Sequence, residues 1–172
     1  MNCVFTPDDI AIFLLKTDFT LSDEQMVLYS LWEEKRQMTP KDNHDKFAFI
    51  REIRREMTSY KYKEDMHELD LIMREIDPDY VLLSPKEEYD YIFKFFKVIR
   101  LELLYIMGKE YYKIKLRNLL KRFGYKRRSQ SLINHITQSL TILSLTTYLR
   151  GHIPCDVKTI ALDDMVMIRL KQ

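Results

Sequence analysis

The sequence is poor in the residues that form tight turns, covalent cross-links and metal sites. Its 172 residues include 3 glycines, 5 prolines and 2 cysteines. Cys3 and Cys155 lie far apart in the chain, which excludes a disulfide framework and a zinc-binding cysteine pattern. Because glycine occurs only at positions 108, 124 and 151, a Gly-rich phosphate-binding loop is excluded as well.

Long apolar stretches are also missing. No apolar run approaches the roughly 18 residues that a membrane span requires. The N-terminus lacks the basic stretch and apolar run of a signal peptide. We therefore expect a cytoplasmic protein without a membrane partner. Scarce glycine and abundant Leu, Ile, Lys, Glu and Met favour helix, so the predicted fold class is mainly α.

The usual motifs of catalysis are missing too. Glu102 is followed by two leucines, whereas a nuclease of the restriction-enzyme type would show a Glu-x-Lys pair. The acidic residues between Asp77 and Asp90 fit helix caps better than a magnesium site. His152 and Cys155 have a ligand-like spacing, but no second pair of ligands is near them in the sequence. We expect no enzymatic activity, no cofactor and no metal site.

The charges that are present are distributed unevenly. Residues 99–172 hold 14 Lys and Arg against 5 Asp and Glu, a balance of +9, although the whole chain has a net charge of +2. Residues 1–98 therefore carry a balance of −7. Such a split indicates a segment that binds a polyanion, unless it reflects uneven surface charge alone.

Residues 1–84 are predicted to form an acidic helical domain. Thr6 and Pro7 are typical of a helix start, and the spacing of Ser22 and Gln25 predicts a capping box for a helix that runs to about residue 37. Apolar spacing predicts two further helices, over 44–58 and 62–76, and the second stops at Asp77-Pro78-Asp79. Residues 80–83 fit either a short strand or a buried connector.

Residues 85–172 are predicted to form a second, basic domain. Ser84 and Pro85 begin a helix that carries a Phe- and Tyr-rich segment, 89–112, which is either core or a dimer surface. Beyond Lys97 the pattern fits a strand or a continued helix, and we favour a helix to about Met107 that ends at Gly108.

The pattern changes after Lys109. A short strand is predicted over 111–114 and a helix over 116–123, with Gly124 as its left-handed cap. Ser129 can cap the next helix, 129–143. Residues rich in β formers follow: a strand over 146–150, an arm containing Ile160 and Leu162, and a final strand over 166–170, which together predict a small antiparallel hairpin.

This order of elements, with FGYKRRS at the helix–helix junction, resembles a winged helix-turn-helix domain. It is also similar to the small winged-helix modules of bacterial DNA restriction and defence proteins. The resemblance implies that helix 129–143 lies in the major groove of double-stranded DNA. It implies that one helix face contacts DNA through Ser129, Gln130, Ser131, Asn134 and Gln138. It also implies phosphate contacts from the junction residues Lys126, Arg127 and Arg128. Further contacts would come from the wing residues Arg150 and Lys158.

Each of these assignments has an alternative. The basic residues 126–128 would also suit a solvated turn, and Asn134 and Gln138 would also suit an ordinary exposed helix face. No Arg or Lys lies between Ser129 and Thr147, although Arg bonded to guanine is the commonest specific contact, so strong sequence specificity is not expected.

Our first hypothesis is a non-catalytic DNA-binding regulator or accessory factor, whose N-terminal half dimerises or contacts a protein. The second is a protein-interaction subunit that uses the winged helix for docking. The third is an accessory factor in phage defence or in a mobile element.

Overall fold

A computed structural model describes residues 4–38, 45–81 and 90–171, except for the side chains of 61–63, 67 and 90. The chain divides into two compact units, Asn2–Pro85 and Lys86–Gln172, called here the N-terminal and C-terminal units. Most described residues are helical, and the C-terminal unit adds a small antiparallel sheet, so the mainly α prediction is confirmed. The predicted domain boundary after residue 84 and the predicted helix start at Ser84-Pro85 lie outside the described residues.

The N-terminal unit contains α1 (Pro7–Leu15), α2 (Leu21–Met38) and α3 (Lys46–Ile76). The predicted start of α1 is confirmed, because the Asp9 amide donates to Thr6 Oγ1 over 3.3 Å and the Thr6 amide donates to Asp9 Oδ2 over 2.8 Å. These reciprocal bonds satisfy backbone groups that the helix itself leaves unpaired.

The capping box predicted at Ser22 is wrong by two residues. Ser22 lies inside α2, and the box is formed instead by Thr20 and Asp23, whose amide donates to Thr20 Oγ1 over 3.2 Å. Thr20 donates back to the Asp23 carboxylate from its own amide over 3.3 Å. Ser22 and Gln25 have the three-residue spacing of a capping box, and so do Thr20 and Asp23. Because the helix begins at Leu21, the pair Thr20 and Asp23 forms the box.

The two helices predicted over 44–58 and 62–76 are one continuous helix, α3. Thr58 and Ser59, which lie between them, are accommodated within the helix, where Thr58 Oγ1 donates to the Arg54 carbonyl and Ser59 Oγ donates to the Glu56 carbonyl. Neither glycine nor proline occurs within α3. The predicted end is confirmed, since Asp77 is the C-terminal cap.

The residues after α3 do not form a strand where the structure describes them. Tyr80 and Val81 are in neither a helix nor a strand, and residues 82 and 83 lie outside the described ranges. The Tyr80 hydroxyl donates to Asp70 Oδ1 over 3.3 Å, and the Asp70 side chain is buried. This contact favours the connector alternative for Tyr80.

The core of the N-terminal unit combines apolar side chains of all three helices. The indole of Trp32 packs against Phe49 with ring centroids 5.7 Å apart, and Phe13 meets Phe19 edge-to-face at 5.7 Å. The other buried members of this core come from each helix in turn: Ile10 and Leu14; Val27, Leu28 and Leu31; Ile53.

The C-terminal unit contains α4 (Asp90–Tyr105), α5 (Leu116–Arg122) and α6 (Gln130–Ile142). The segment after Lys97 is helical, as favoured over a strand, but α4 ends at Tyr105 rather than near Met107. Gly108 follows with a φ of +77°, a left-handed conformation that glycine adopts without strain.

Four strands form one antiparallel sheet in the order β1-β4-β2-β3. They are β1 (Tyr112–Lys115), β2 (Leu145–Leu149), β3 (Ile153–Pro154) and β4 (Met165–Leu170). The prediction that Ile160 and Leu162 extend a strand is wrong. Residues 157–160 form a turn instead, because Asp156 accepts the Lys158 amide at its side chain and the Thr159 amide at its carbonyl.

The sheet has one buried face, against which the helices of the C-terminal unit pack. Val166 and Ile168 of β4 are fully buried, whereas Met165, Met167 and Arg169 alternate with them and point to the opposite face. The helices supply the rest of this core: Phe95, Phe96 and Ile99; Leu116, Leu119 and Leu120; Leu132, Ile133 and Ile136. Within the described ranges, no helix combines the length and apolar character that crossing a membrane requires.

Candidate nucleic-acid interface

The junction between α5 and α6 begins with a helix cap at Gly124. Gly124 has a φ of +83°, the Tyr125 amide donates to the Leu120 carbonyl, and the Gly124 amide donates to the Lys121 carbonyl. These two bonds form a Schellman motif, which confirms the predicted left-handed cap. The cap ends α5 abruptly and sends residues 125–128 into the junction before α6.

The start of α6 is fixed by Ser129. The Leu132 amide donates to Ser129 Oγ over 3.1 Å, which confirms Ser129 as the N-cap. The remaining amides of the first turn give this helix end a partial positive charge, which favours a nearby anion. This helix end is therefore electrostatically suited to a phosphate.

The side chains of α6 separate into an apolar and a polar face. The apolar face is buried and includes Leu132, Ile136 and Leu140. The opposite, polar face is exposed and includes every α6 residue that the sequence singled out: Gln130, Ser131, Asn134 and Gln138, followed by Thr141. Since none of these side chains is charged, this face offers hydrogen-bond donors and acceptors but no ionic contact.

Two residues of the polar face are already paired with each other. Gln130 Nε2 donates to Asn134 Oδ1 over 2.7 Å, which holds both amides on the helix surface one turn apart. This bond uses the Gln130 amide nitrogen and the Asn134 carbonyl oxygen, so Asn134 Nδ2 remains as a donor and Gln130 Oε1 remains as an acceptor. A carboxamide with both functions free can pair with adenine, so Gln138 suits that contact better than the bonded pair does.

Lys126 and Arg127 are the cations best placed for an anionic partner. Both lie in the junction and are exposed, and no described residue forms a hydrogen bond or an ion pair with either side chain. They precede the capped end of α6 by only a few residues. Because they are solvated and unpaired, their charge is available to phosphates at little desolvation cost.

Arg128 differs from its two neighbours. Its Nη1 donates to three backbone carbonyls of the turn after Asp156, at 3.2, 2.9 and 2.7 Å: Val157, Lys158 and Ile160. The side chain is half-buried, and the acceptors lie about 30 residues further along the chain. Arg128 thus links the α5–α6 junction to the segment between β3 and β4 through hydrogen bonds. It acts mainly as a positioning residue.

The two predicted wing residues lie at different places. Arg150 follows β2 in the turn with Gly151, which has a φ of +83°, and His152, which has a φ of +62°. Lys158 lies in the turn that Arg128 binds, and its side chain is exposed. Arg128 thereby connects Lys158 to the junction, whereas no described contact connects Arg150 to it.

His152 and Cys155, the pair with ligand-like spacing, do not form a metal site or a reactive thiol in the described structure. Within the described residues, no group of three or more His, Cys, Asp or Glu side chains is placed to hold a metal ion. Burial raises the pKa of the Cys155 thiol, which therefore stays protonated at neutral pH and is a poor nucleophile. Cys3 lies outside the described residues.

Sequence reasoning missed the role of Arg128 and the partner that it binds. The sequence Lys126-Arg127-Arg128 does not indicate that the Arg128 side chain bonds to backbone carbonyls, since those carbonyls are about 30 residues away in the chain. Comparison with protein-family models, curated proteins and solved structures found no match.

Proposed function

We propose that this chain is a DNA-binding protein without catalytic activity, and that it places α6 in the major groove of duplex DNA. One observation carries the proposal: the exposed, uncharged polar face of α6 begins at Gln130, shortly after two exposed cations in the chain, Lys126 and Arg127. A helix of about 10–12 Å diameter fits a groove about 12 Å wide. The groove would receive the polar face, and the phosphates beside it would meet the cations.

The order of elements in the C-terminal unit supports a winged helix-turn-helix as the basis of this function. Along the chain the order is α4, β1, α5, α6, β2, β3 and β4, and β1 and β2 flank β4 in the sheet. In such a domain the second helix of the pair is the one that enters the groove. That helix here is α6, whose first turn is capped and whose polar face is solvent-exposed.

The proposed contacts fall into three groups with different physical roles. Lys126 and Arg127 would neutralise phosphates and supply affinity that does not depend on sequence. Asn134 and Gln138 would meet base edges. Arg150 and Lys158 would reach the backbone beyond the groove, with Lys158 held in place through Arg128.

Low sequence specificity follows from the composition of α6. The helix has no Arg or Lys between Gln130 and Ile142, so it lacks the bidentate contact to guanine that discriminates most strongly. Ile142, which is 40% exposed, adds an apolar contact at its C-terminal end. We expect duplexes of different sequence to bind within about one order of magnitude of each other, since only one or two base contacts of ~1 kcal/mol are available.

The proposal is tested by fluorescence anisotropy with a labelled random-sequence duplex over a series of salt concentrations. The double variant Lys126→Ala/Arg127→Ala is expected to bind about tenfold more weakly at low salt. The slope of log K against log salt should become shallower by about 2, since two phosphate contacts are lost.

A charge-matched control comes from α3. Arg51 and Arg55 are exposed, and Arg51→Ala/Arg55→Ala removes the same charge from the N-terminal unit. The control is expected to retain the affinity and the salt slope of the unmodified chain. Equal affinities for all three proteins, or no binding of the duplex at low salt, would contradict the proposal.

A second candidate function, a protein-interaction subunit, is favoured by a different observation on α3. Leu69, Ile72 and Ile76 share a stripe of this helix and are 41%, 57% and 73% exposed. Their neighbours Glu68 and Glu75 are acidic, so a partner helix with a basic rim would complement the stripe. A stoichiometric complex with one protein, together with no duplex binding at low salt, would favour this function over the first.

A further inference from the structure

The face of the sheet that points away from the helix-packed core carries cations and tyrosines. We call it the outer sheet face. Met167 of β4 lies directly opposite Lys113 of β1 on one side and Tyr148 of β2 on the other. Residues directly opposite each other on neighbouring strands point to the same face of a sheet, so these three side chains share the outer sheet face. Lys115 and Arg169 lie two residues along from members of this set and therefore lie on the same face.

The charge on the outer sheet face is positive throughout. Lys113 and Lys115 are exposed, about 7 Å apart along β1, and no Asp or Glu occurs among the strand residues that share this face. Asp163, which interacts electrostatically with Lys115, is already bound by Arg117 Nε and Nη2 at 2.8 and 2.9 Å. The lysine charges are therefore available to an anion.

Aromatic rings lie beside a third cation on this face. The Arg169 guanidinium carbon lies 5.5 Å from the ring centre of Tyr111 and 6.0 Å from that of Tyr148. Tyr111 is 43% exposed and Tyr148 is half-buried. The Arg169 Nε is buried and has no hydrogen-bond partner in the described part of the chain, which is uncommon for a guanidinium. Among the described residues, the Arg169 Nε therefore has no anionic partner.

We propose that the outer sheet face is a second nucleic-acid site, which binds a single strand. The exposed ring of Tyr111 can stack with an unpaired base whatever its identity, and the cations beside it can neutralise the phosphates. The bases of a duplex are already stacked on each other, so a duplex could use the lysines but not the tyrosines. This combination of residues therefore favours a single strand. The site is separate from α6 and does not depend on the function proposed for that helix.

The experiment measures binding of a fluorescein-labelled oligothymidylate of about 15 nucleotides to the full chain, by anisotropy at low salt. We expect Tyr111→Ala to weaken binding at least about fivefold, and Tyr111→Phe to retain it, because phenylalanine keeps the stacking ring. We expect Lys113→Gln/Lys115→Gln to make the salt slope shallower by about 1.4, since about 0.7 is lost for each phosphate contact of a single strand.

The Arg51→Gln/Arg55→Gln variant removes two exposed charges from α3 and controls for net charge. Circular dichroism checks that each variant is folded. Three results would overturn the proposal: no binding of oligothymidylate by the unmodified chain, equal weakening by the α3 control, or equal affinities of the Tyr111→Ala and unmodified chains.

The same variants separate this proposal from the one for α6. Lys126→Ala/Arg127→Ala is expected to weaken duplex binding and leave oligothymidylate binding unchanged, and Tyr111→Ala is expected to do the reverse. Loss of oligothymidylate binding only in the Lys126→Ala/Arg127→Ala variant would place the single strand on the α6 surface and refute the second site. Failure of duplex binding alone would refute only the α6 proposal.

Discussion

Replacing Arg128 with methionine removes the guanidinium and keeps most of the aliphatic side chain. Nη1 has two protons shared among three carbonyls, so the change removes about two strong hydrogen bonds. The bonds to Val157 and Ile160 are partly buried, whereas the Lys158 carbonyl can bond to water. After a discount for partial exposure, we expect the free energy of unfolding to fall by about 2 kcal/mol.

Thermal unfolding of the full chain, followed by circular dichroism, measures this loss. For a unit of this size about 2 kcal/mol corresponds to a decrease in Tm of about 10 °C. Hydrogen exchange localises it, because the amides of Thr159 and Ile160, which donate to the Asp156 carbonyl, should exchange faster when the turn loosens.

The adjacent Arg127 offers a matched control. Arg127→Met removes the same group from an exposed side chain that no described residue bonds, so the free energy of unfolding should change by less than about 0.5 kcal/mol. The reasoning is refuted if the two variants melt at the same temperature and the Thr159 and Ile160 amides keep their protection in both.

Two further predictions concern the neighbouring structure. Gly124→Ala should lower the free energy of unfolding by about 1 kcal/mol, because alanine is strained at a φ of +83°; urea titration measures it, and an unchanged midpoint would contradict the strain argument. Hydrogen bonding to Arg117 lowers the pKa of the Asp163 carboxyl, so its contribution to stability is present above its ordinary pKa and is lost as the pH falls through the lowered value. Carboxyl NMR titration should show this pKa rise towards its ordinary value in Arg117→Ala, and no rise would exclude that pairing as the cause.

The features predictable from sequence are those whose hydrogen bonds connect near neighbours. Thr6 and Asp9 are three residues apart, Gly124 directly follows Phe123, the C-cap of α5, and Ser129 lies three residues before Leu132, whose amide donates to it. Such bonds depend on residue type and spacing alone, which the sequence contains. The same rule explains the error at Ser22, where two overlapping pairs have the required spacing.

Two kinds of feature were not predictable. The continuity of α3 is local but ambiguous, because Thr58 and Ser59 are compatible with a helix interior and with a helix end. Other features depend on distant residues. The inward turn of Arg128 depends on carbonyls about 30 residues away. For the outer sheet face, the strands over 111–114 and 166–170 were predictable, but the register that brings Arg169 between two tyrosines was not.

The chain has a single tryptophan, and its location makes it a natural spectroscopic probe. Trp32 is buried against Phe49 in the N-terminal unit. Indole emission therefore reports the unfolding of that unit without any introduced label. The C-terminal unit lacks an indole but holds every strand of the described ranges, so a β-sheet infrared band reports it. The two optical signals together would reveal in one sample which unit unfolds first.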